Sequence, residues 1–194
     1  VRIIGGTHRG RVLQIPAKLP VRPTTDFARE ALFNILQNQF YLPDVSFLDL
    51  FTGTGAISLE MASRGCTDIT SVDIHPGCVQ FIRKTADYWK LKGCKTIKED
   101  VFRFIEQCSF RYDIVFADPP YNLPNLADLP DLILKKKMVR IGGWLILEHG
   151  KNHSFQQHPF FIQHRRYGNV NFSIFQPQTP TYHHEKNCSL SGDI

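Results

Sequence analysis

From Val45 to Gly150 the chain alternates short apolar runs with amphipathic stretches, and that alternation limits the folds open to it. VSFLDLF, DITSVDI, KTIKEDV, YDIVFAD and GGWLILEHG read as strands. Between them GAISLEMASRG, CVQFIRKTADYWKLKG, VFRFIEQC and LADLPDLILKKKMV read as helices. The first ends on Gly65, the second on Gly93, and the last has its main start near Asp131, after Pro130. Strands and helices in this rhythm demand right-handed crossovers and a parallel sheet. IVFA and WLIL are apolar throughout, as strands covered on both faces are. The rhythm stops at FFIQHRRYGNVNFSIF, which predicts two strands about a Gly168-Asn169 turn, an antiparallel hairpin at the sheet's end.

The segment before Val45 has a different character. RIIGG and RVLQIP predict a short two-stranded piece around THRG, and TTDFAREALFNILQNQF predicts a helix capped by Thr25 or Asp26. The net charge is +5, and residues 1–30 hold most of it, with six basic side chains against two acids. The other 164 residues balance seventeen against sixteen. A charge confined to one arm predicts a local polyanion contact rather than a generally basic surface. The expected organisation is a basic arm and helix over 1–44, a core domain over 45–176 and a polar tail over 177–194. VRIIGGTHRGR does not read as a signal peptide, and no apolar run approaches the roughly 18 residues of a membrane span. Five cysteines without CxxC spacing predict reduced thiols, hence a cytoplasmic location and no zinc ribbon.

Ligands of parallel α/β sheets bind beyond the carboxyl ends of the strands. Asp49, Asp73, Asp100, Asp118 and Glu148 all fall at or near those ends. After the first strand comes DLFTGTGAIS, where Gly53 and Gly55 would let backbone approach a ligand at a helix start. Ser58 stands where a dinucleotide fingerprint would have its third glycine, so that fingerprint fails. Asp73, twenty residues after Gly53, suits a ribose diol or a turn cap; Asp100 suits an adenine amine or a helix cap.

The fourth strand ends on Asp118-Pro119-Pro120-Tyr121. An exocyclic amine on a base is a poor nucleophile because its lone pair is delocalised into the ring. Hydrogen bonds accepted from its N–H groups by the Asp118 carboxylate and the Pro119 carbonyl would localise that pair. The prolines would hold the carbonyl out of any ladder, and Tyr121 offers a face to a base that has left its stack. The simpler reading is a strand followed by a turn.

DPPY after the fourth strand, with DLFTGTG after the first, resembles the S-adenosylmethionine-dependent amino-methyltransferases. RIIGG…RGR…RPTTDFAREALFNIL is similar to one branch of them, the RsmD family of bacterial 16S ribosomal RNA guanine-N2 methyltransferases. The similarity runs from about Arg2 to Gln176 and leaves the tail unmatched; Thr52 and Thr54 stand where Ala and Ser are commoner in the family. It implies a Rossmann-like class I methyltransferase fold: a seven-stranded, mostly parallel sheet with an antiparallel C-terminal hairpin, plus an N-terminal β-hairpin and helix. It implies S-adenosylmethionine at Asp49, Phe51, Gly53, Gly55, Asp73, Ile74, Asp100, Val101 and Asp118, and the target amine at Asp118, Pro119, Pro120 and Tyr121. It implies RNA contacts by Arg2, Arg9, Arg11, Arg22, Thr24 and Arg29, with no metal. The partner implied is 16S ribosomal RNA within a small-subunit particle, and a chain of this size is expected to be a monomer without membrane attachment. The rival readings are a DNA amino-methyltransferase sharing the tetrapeptide, a nicotinamide-dependent dehydrogenase, and a non-catalytic RNA-binding module. His149 and His153 are spaced i, i+4 without an obvious third ligand, and Arg165-Arg166-Tyr167 suits either a phosphate contact or a surface strand.

Overall fold

The protein is described by a computed structural model covering residues 1–20 and 25–178. Arg22, Thr24, Cys188 and all but the first two residues of the tail lie outside the described residues. Seven strands form one sheet: β1 (Ser46–Leu50), β2 (Asp68–Asp73), β3 (Cys94–Lys98), β4 (Tyr112–Ala117), β5 (Val139–His149), β6 (Phe161–Tyr167) and β7 (Val170–Phe175). Their order is β3-β2-β1-β4-β5-β7-β6. The first five strands pair in parallel, and β7 runs antiparallel to both β5 and β6, as the Gly168-Asn169 turn predicts. Helices α1 (Asp26–Gln39), α2 (Ala56–Ser63), α3 (Pro76–Tyr88), α4 (Val101–Gln107) and α5 (Leu129–Lys135) cover the two faces. Among the described residues no helix is long and apolar enough to cross a membrane.

Both faces of the sheet are buried, which is why β1 is inaccessible along its whole length. One face packs Phe47, Ile114, Phe116, Ile146 and Phe172 under α1 and α2. The other packs Leu48, Val115, Leu145 and Phe175 under α4 and α5. Thr25 caps α1 through its side chain, which accepts from the Ala28 amide at 3.2 Å. Asp100 caps α4 by accepting from the Phe102 and Arg103 amides.

The arm makes less strand than its β-prone residues predict. A single antiparallel bridge joins Arg2 to Val12, and Gly6–His8 forms a 3-10 turn. The reason is an acceptor on α2. The Ile4 and Gly5 amides donate to the two carboxylate oxygens of Glu60, both at 2.7 Å, so they leave the ladder. Glu60 is fully buried and also takes the Arg64 guanidinium at 2.8 Å, with Arg29 lying 3.8 Å away. Arg29 in turn donates to the Arg2 carbonyl at 2.7 Å and to Asp26 at 2.8 Å. The arm, α1 and α2 thus meet at one buried carboxylate.

Removing one partner from such a group leaves buried charge and amides unmatched. Glu60→Ala is expected to cost about 3–5 kcal/mol in urea unfolding and to expose residues 1–20 to limited proteolysis. Unchanged stability and an intact arm would show that Glu60 does not anchor it.

Candidate active site

The strand order sets the acids side by side along the carboxyl rim. Asp100 follows β3, Asp73 ends β2, Asp49 is the penultimate residue of β1, Asp118 follows β4, and Glu148 is the penultimate residue of β5. β4 lies between β1 and β5, so Asp118 sits between Asp49 and Glu148. Its amide continues the pairing by donating to the Leu50 carbonyl at 3.2 Å.

Asp49 is buried, and one oxygen takes two hydroxyls, from Thr52 at 2.7 Å and Ser58 at 2.6 Å. Ser58 is also 2.7 Å from the Ser71 hydroxyl on β2. The residue that breaks the dinucleotide fingerprint therefore holds the first acid of the rim. Phe51 turns the chain here with φ 59°, a left-handed conformation costing an aromatic residue about 1 kcal/mol. Its ring packs edge-on to Phe102. Burial pushes Asp49 up to about 6 against its two hydroxyl bonds, and the Asp73 charge adds to the rise.

Asp73 binds the rim loops together. It accepts from the Gly53 amide at 2.8 Å and from the His75 amide at 2.7 Å, one on each oxygen. Each oxygen retains capacity for a further donor, as a diol would need. Beside it opens a cleft of about 540 Å³ lined by Ile74, Lys98, Glu99, Asp100 and Arg103. Ile74 is 63% exposed there, an apolar side chain suited to covering a flat base.

Two residues expected at the cofactor also have packing roles. Gly55 is required by packing as well as by its φ of +71°, because a Cβ there would stand 2.5 Å from Ile82 Cγ1. Val101 is buried in the core and does not line the cleft, so it can offer a ligand only its backbone.

At the tetrapeptide Pro119 is buried while Tyr121 is 43% exposed. The Tyr121 hydroxyl donates to Glu148 Oε1 at 2.9 Å. Its ring lies against Gly150, where a Cβ would come within 3.1 Å of the ring. The phenol is thus held at its tip and along its flank. The Asp118 residue is half-buried, with its carboxyl away from solvent. Burial raises its pKa well above the carboxylate range, and the charges of Glu148 and then Asp49 raise it further. A positive charge in the cleft opposes all three effects and favours the carboxylate.

Among the described residues the RNA candidates do not gather at this rim, and Arg22 and Thr24 lie outside those residues. Arg29 is fully buried in the Glu60 cluster, so direct phosphate contact by it is ruled out. Arg2 is exposed and paired with Asp26. Arg9 and Arg11 are exposed, but the turn that carries them docks on the C-terminal ends of α2 and α3. The His8 amide donates to the Ser63 hydroxyl, its ring meets the Trp89 carbonyl, and Arg11 lies over the Trp89 ring. That is the far end of helices whose N-termini face the rim, roughly 12 Å or more away at 1.5 Å per residue.

Rim acids that complement a cation, a diol acceptor beside a base-sized cleft, and a DPPY corner fit S-adenosylmethionine. Fold and site together define the class: a Rossmann-like methyltransferase that uses this cofactor. A family profile described as "Conserved hypothetical protein 95" matches residues 1–176. Ribosomal RNA small subunit methyltransferase D of Escherichia coli is 34% identical over 145 residues, 75% of this chain and 69% of that protein. A solved structure described as a putative methyltransferase, yhhF, from Escherichia coli superposes with a TM-score of 0.80 at 29% identity, covering 92% of this chain and 98% of that one. A Thermus thermophilus 16S rRNA N2-guanine methyltransferase solved with AdoMet and guanosine shares the fold: TM-score 0.65, 20% identity, 82% of this chain and 45% of that one. The chain belongs to the RsmD family of methyltransferases.

Asp49→Asn keeps an acceptor for both hydroxyls and removes the buried charge. An acid whose folded pKa is raised loses stability as pH rises from its ordinary value of 3.8 to about 6, and the full penalty holds above that. A shift of this size is worth about 3 kcal/mol. The variant is expected to exceed the wild type by on the order of 2–3 kcal/mol at pH 8 and to lose that advantage as pH falls through 6 towards 4. Urea unfolding across pH tests this; an advantage independent of pH would refute the assignment.

Proposed function

We propose that this chain methylates the exocyclic N2 amine of a guanine in small-subunit ribosomal RNA, and that it acts as a monomer on an assembled particle. The observation that carries the reading is the Asp118–Tyr121 corner, half-open, with Asp118 on the strand between those of Asp49 and Glu148 and Tyr121 bonded to Glu148. The names of the relatives, which are small-subunit ribosomal RNA methyltransferases, support the substrate class. A particle is favoured because an arm with few exposed cations gives only modest, salt-dependent affinity for naked RNA.

S-adenosylmethionine, when bound, supplies an electrophilic methyl group. The chain's own residues do the rest. Asp118 as carboxylate, with the Pro119 carbonyl, accepts hydrogen bonds from the guanine amine and localises its lone pair. The two prolines keep that carbonyl free of a ladder, since neither has an N–H to donate. Tyr121, held by Glu148 and Gly150, gives the extruded base a rigid stacking face. After transfer the nitrogen carries an extra proton, which the Asp118 carboxylate can take or pass to water. Asp73, Ile74 and Asp100, with the Gly53–Gly55 loop, hold the nucleoside part of the cofactor.

Labelled methyl transfer to small subunits lacking their modification, to naked ribosomal RNA and to duplex DNA tests the reading. The expected product is N2-methylguanosine in the ribosomal acceptors, reduced at least about a hundredfold by Asp118→Ala. Tyr121→Phe, which keeps the ring and loses the Glu148 bond, is expected to fall less than Tyr121→Ala. Label in DNA alone would overturn the substrate and leave the chemistry standing.

A further inference from the structure

Past the end of β5 a second cavity, of about 240 Å³, opens between residues 150–157 and the β6–β7 hairpin. Lys151, His153, His164 and Arg166 line it, and no carboxylate does. Some exposed cations meet acids, as in Arg2–Asp26, Lys135–Asp131 and Arg140–Asp113. Among the described residues neither Lys151 nor Arg166 does.

The cavity has a fixed wall. The His149 and His164 rings stack with centroids 6.1 Å apart, and Phe155 meets His149 edge-on at 5.1 Å. Asn171 Nδ2 donates to the His149 carbonyl at 3.3 Å, which aims its oxygen at His164 Nε2, 3.1 Å away. His149 Nδ1 donates to the Gly150 carbonyl at 2.8 Å, and its Nε2 takes the Ser173 hydroxyl at 2.8 Å. Both nitrogens of His149 are engaged, so the histidine cluster is not poised for a metal; an anion suits the remaining donors. Among the described residues Arg166 uses only Nε, on the Gly168 carbonyl, which leaves its terminal nitrogens for a ligand.

Gly150 joins this cavity to the tetrapeptide. It lies against Tyr121, and the next residue is Lys151. We infer that the cavity binds a backbone phosphate of the RNA strand beside the target guanine, with Lys151 and Arg166 as its charge partners. This rests on the RNA methyltransferase reading above. A base drawn out of its stack leaves its flanking phosphates at the mouth of the site, and holding them fixes which nucleotide is extruded. Arg9 and Arg11 cannot serve there, because they dock at the opposite end of α2 and α3.

The test measures binding of a ribosomal RNA fragment carrying the acceptor guanine, across salt, by the wild type and by the Lys151→Ala/Arg166→Ala double variant. Labelled methyl transfer and S-adenosylmethionine affinity are measured beside it. The expected result is about tenfold weaker RNA binding and a log–log salt slope shallower by about two. Cofactor affinity and melting midpoint stay at wild-type values, since both side chains are exposed. A neutral methylphosphonate at the phosphates flanking the guanine weakens the wild type and leaves the double variant unaffected. Unchanged affinity and salt slope in the double variant, with wild-type methyl transfer to RNA intact, overturn the phosphate site and leave the enzymatic reading standing. Weakened binding with no transfer by the wild type, either to the fragment or to small subunits lacking their modification, supports the site and overturns that reading.

Discussion

Asp118 is held where electrostatics disfavours its charge. Its carboxyl is buried between Asp49 and Glu148, and each raises the cost of ionising it. That placement follows from the sheet, because β4 is flanked by β1 and β5. The neighbours are braced for it. Thr52 and Ser58 hold Asp49, while Glu148 takes the Tyr121 hydroxyl. An array of acids that repel one another when empty is relieved by a cationic ligand, so the stability lost in the fold is recovered on binding. The Asp118 carboxylate is also the form that can accept a hydrogen bond from an amine.

The arm has a different logic. Glu60 draws two backbone amides and two arginines to one buried point, so the arm packs as part of the fold and carries Ile3 and Leu13 into a core with Leu59 and Trp89. Its positive charge is accordingly divided. Arg29 serves the interior, Arg2 pairs with Asp26, and Arg9 and Arg11 remain exposed far from the rim. A separate group of cations, Lys151 after β5 and Arg166 on β6, lines the cavity that Gly150 joins to Tyr121.

The parallel sheet, its closing hairpin and the acids of the rim were legible in the residues, since period and turn chemistry are local properties. Several site features were not. Arg29 reads as part of a basic cluster, and only burial against Glu60 shows otherwise. Ser58 reads as a failed glycine position, yet it is a hydroxyl donor to Asp49. Gly55 reads as a ligand-facing glycine, and its packing against Ile82, where a side chain would clash, has no local signal. The bond between Tyr121 and Glu148, 27 residues apart, had no signal beyond two polar residues each at the end of an apolar strand.

The sequence by itself determined which residues end the strands and which chemistry they can carry. Apolar runs specify buried strands, and DPPY stops one of them wherever it lies in space. Only the tertiary structure decided which acids become neighbours. Chain order puts Asp49, Asp73, Asp100, Asp118 and Glu148 in one succession; strand order puts them in another, with Asp100 at one end and Asp118 between Asp49 and Glu148. Charge interactions fall off with distance, so the pKa of Asp118, the posture of Tyr121 and the cavity beyond Gly150 depend on the second succession.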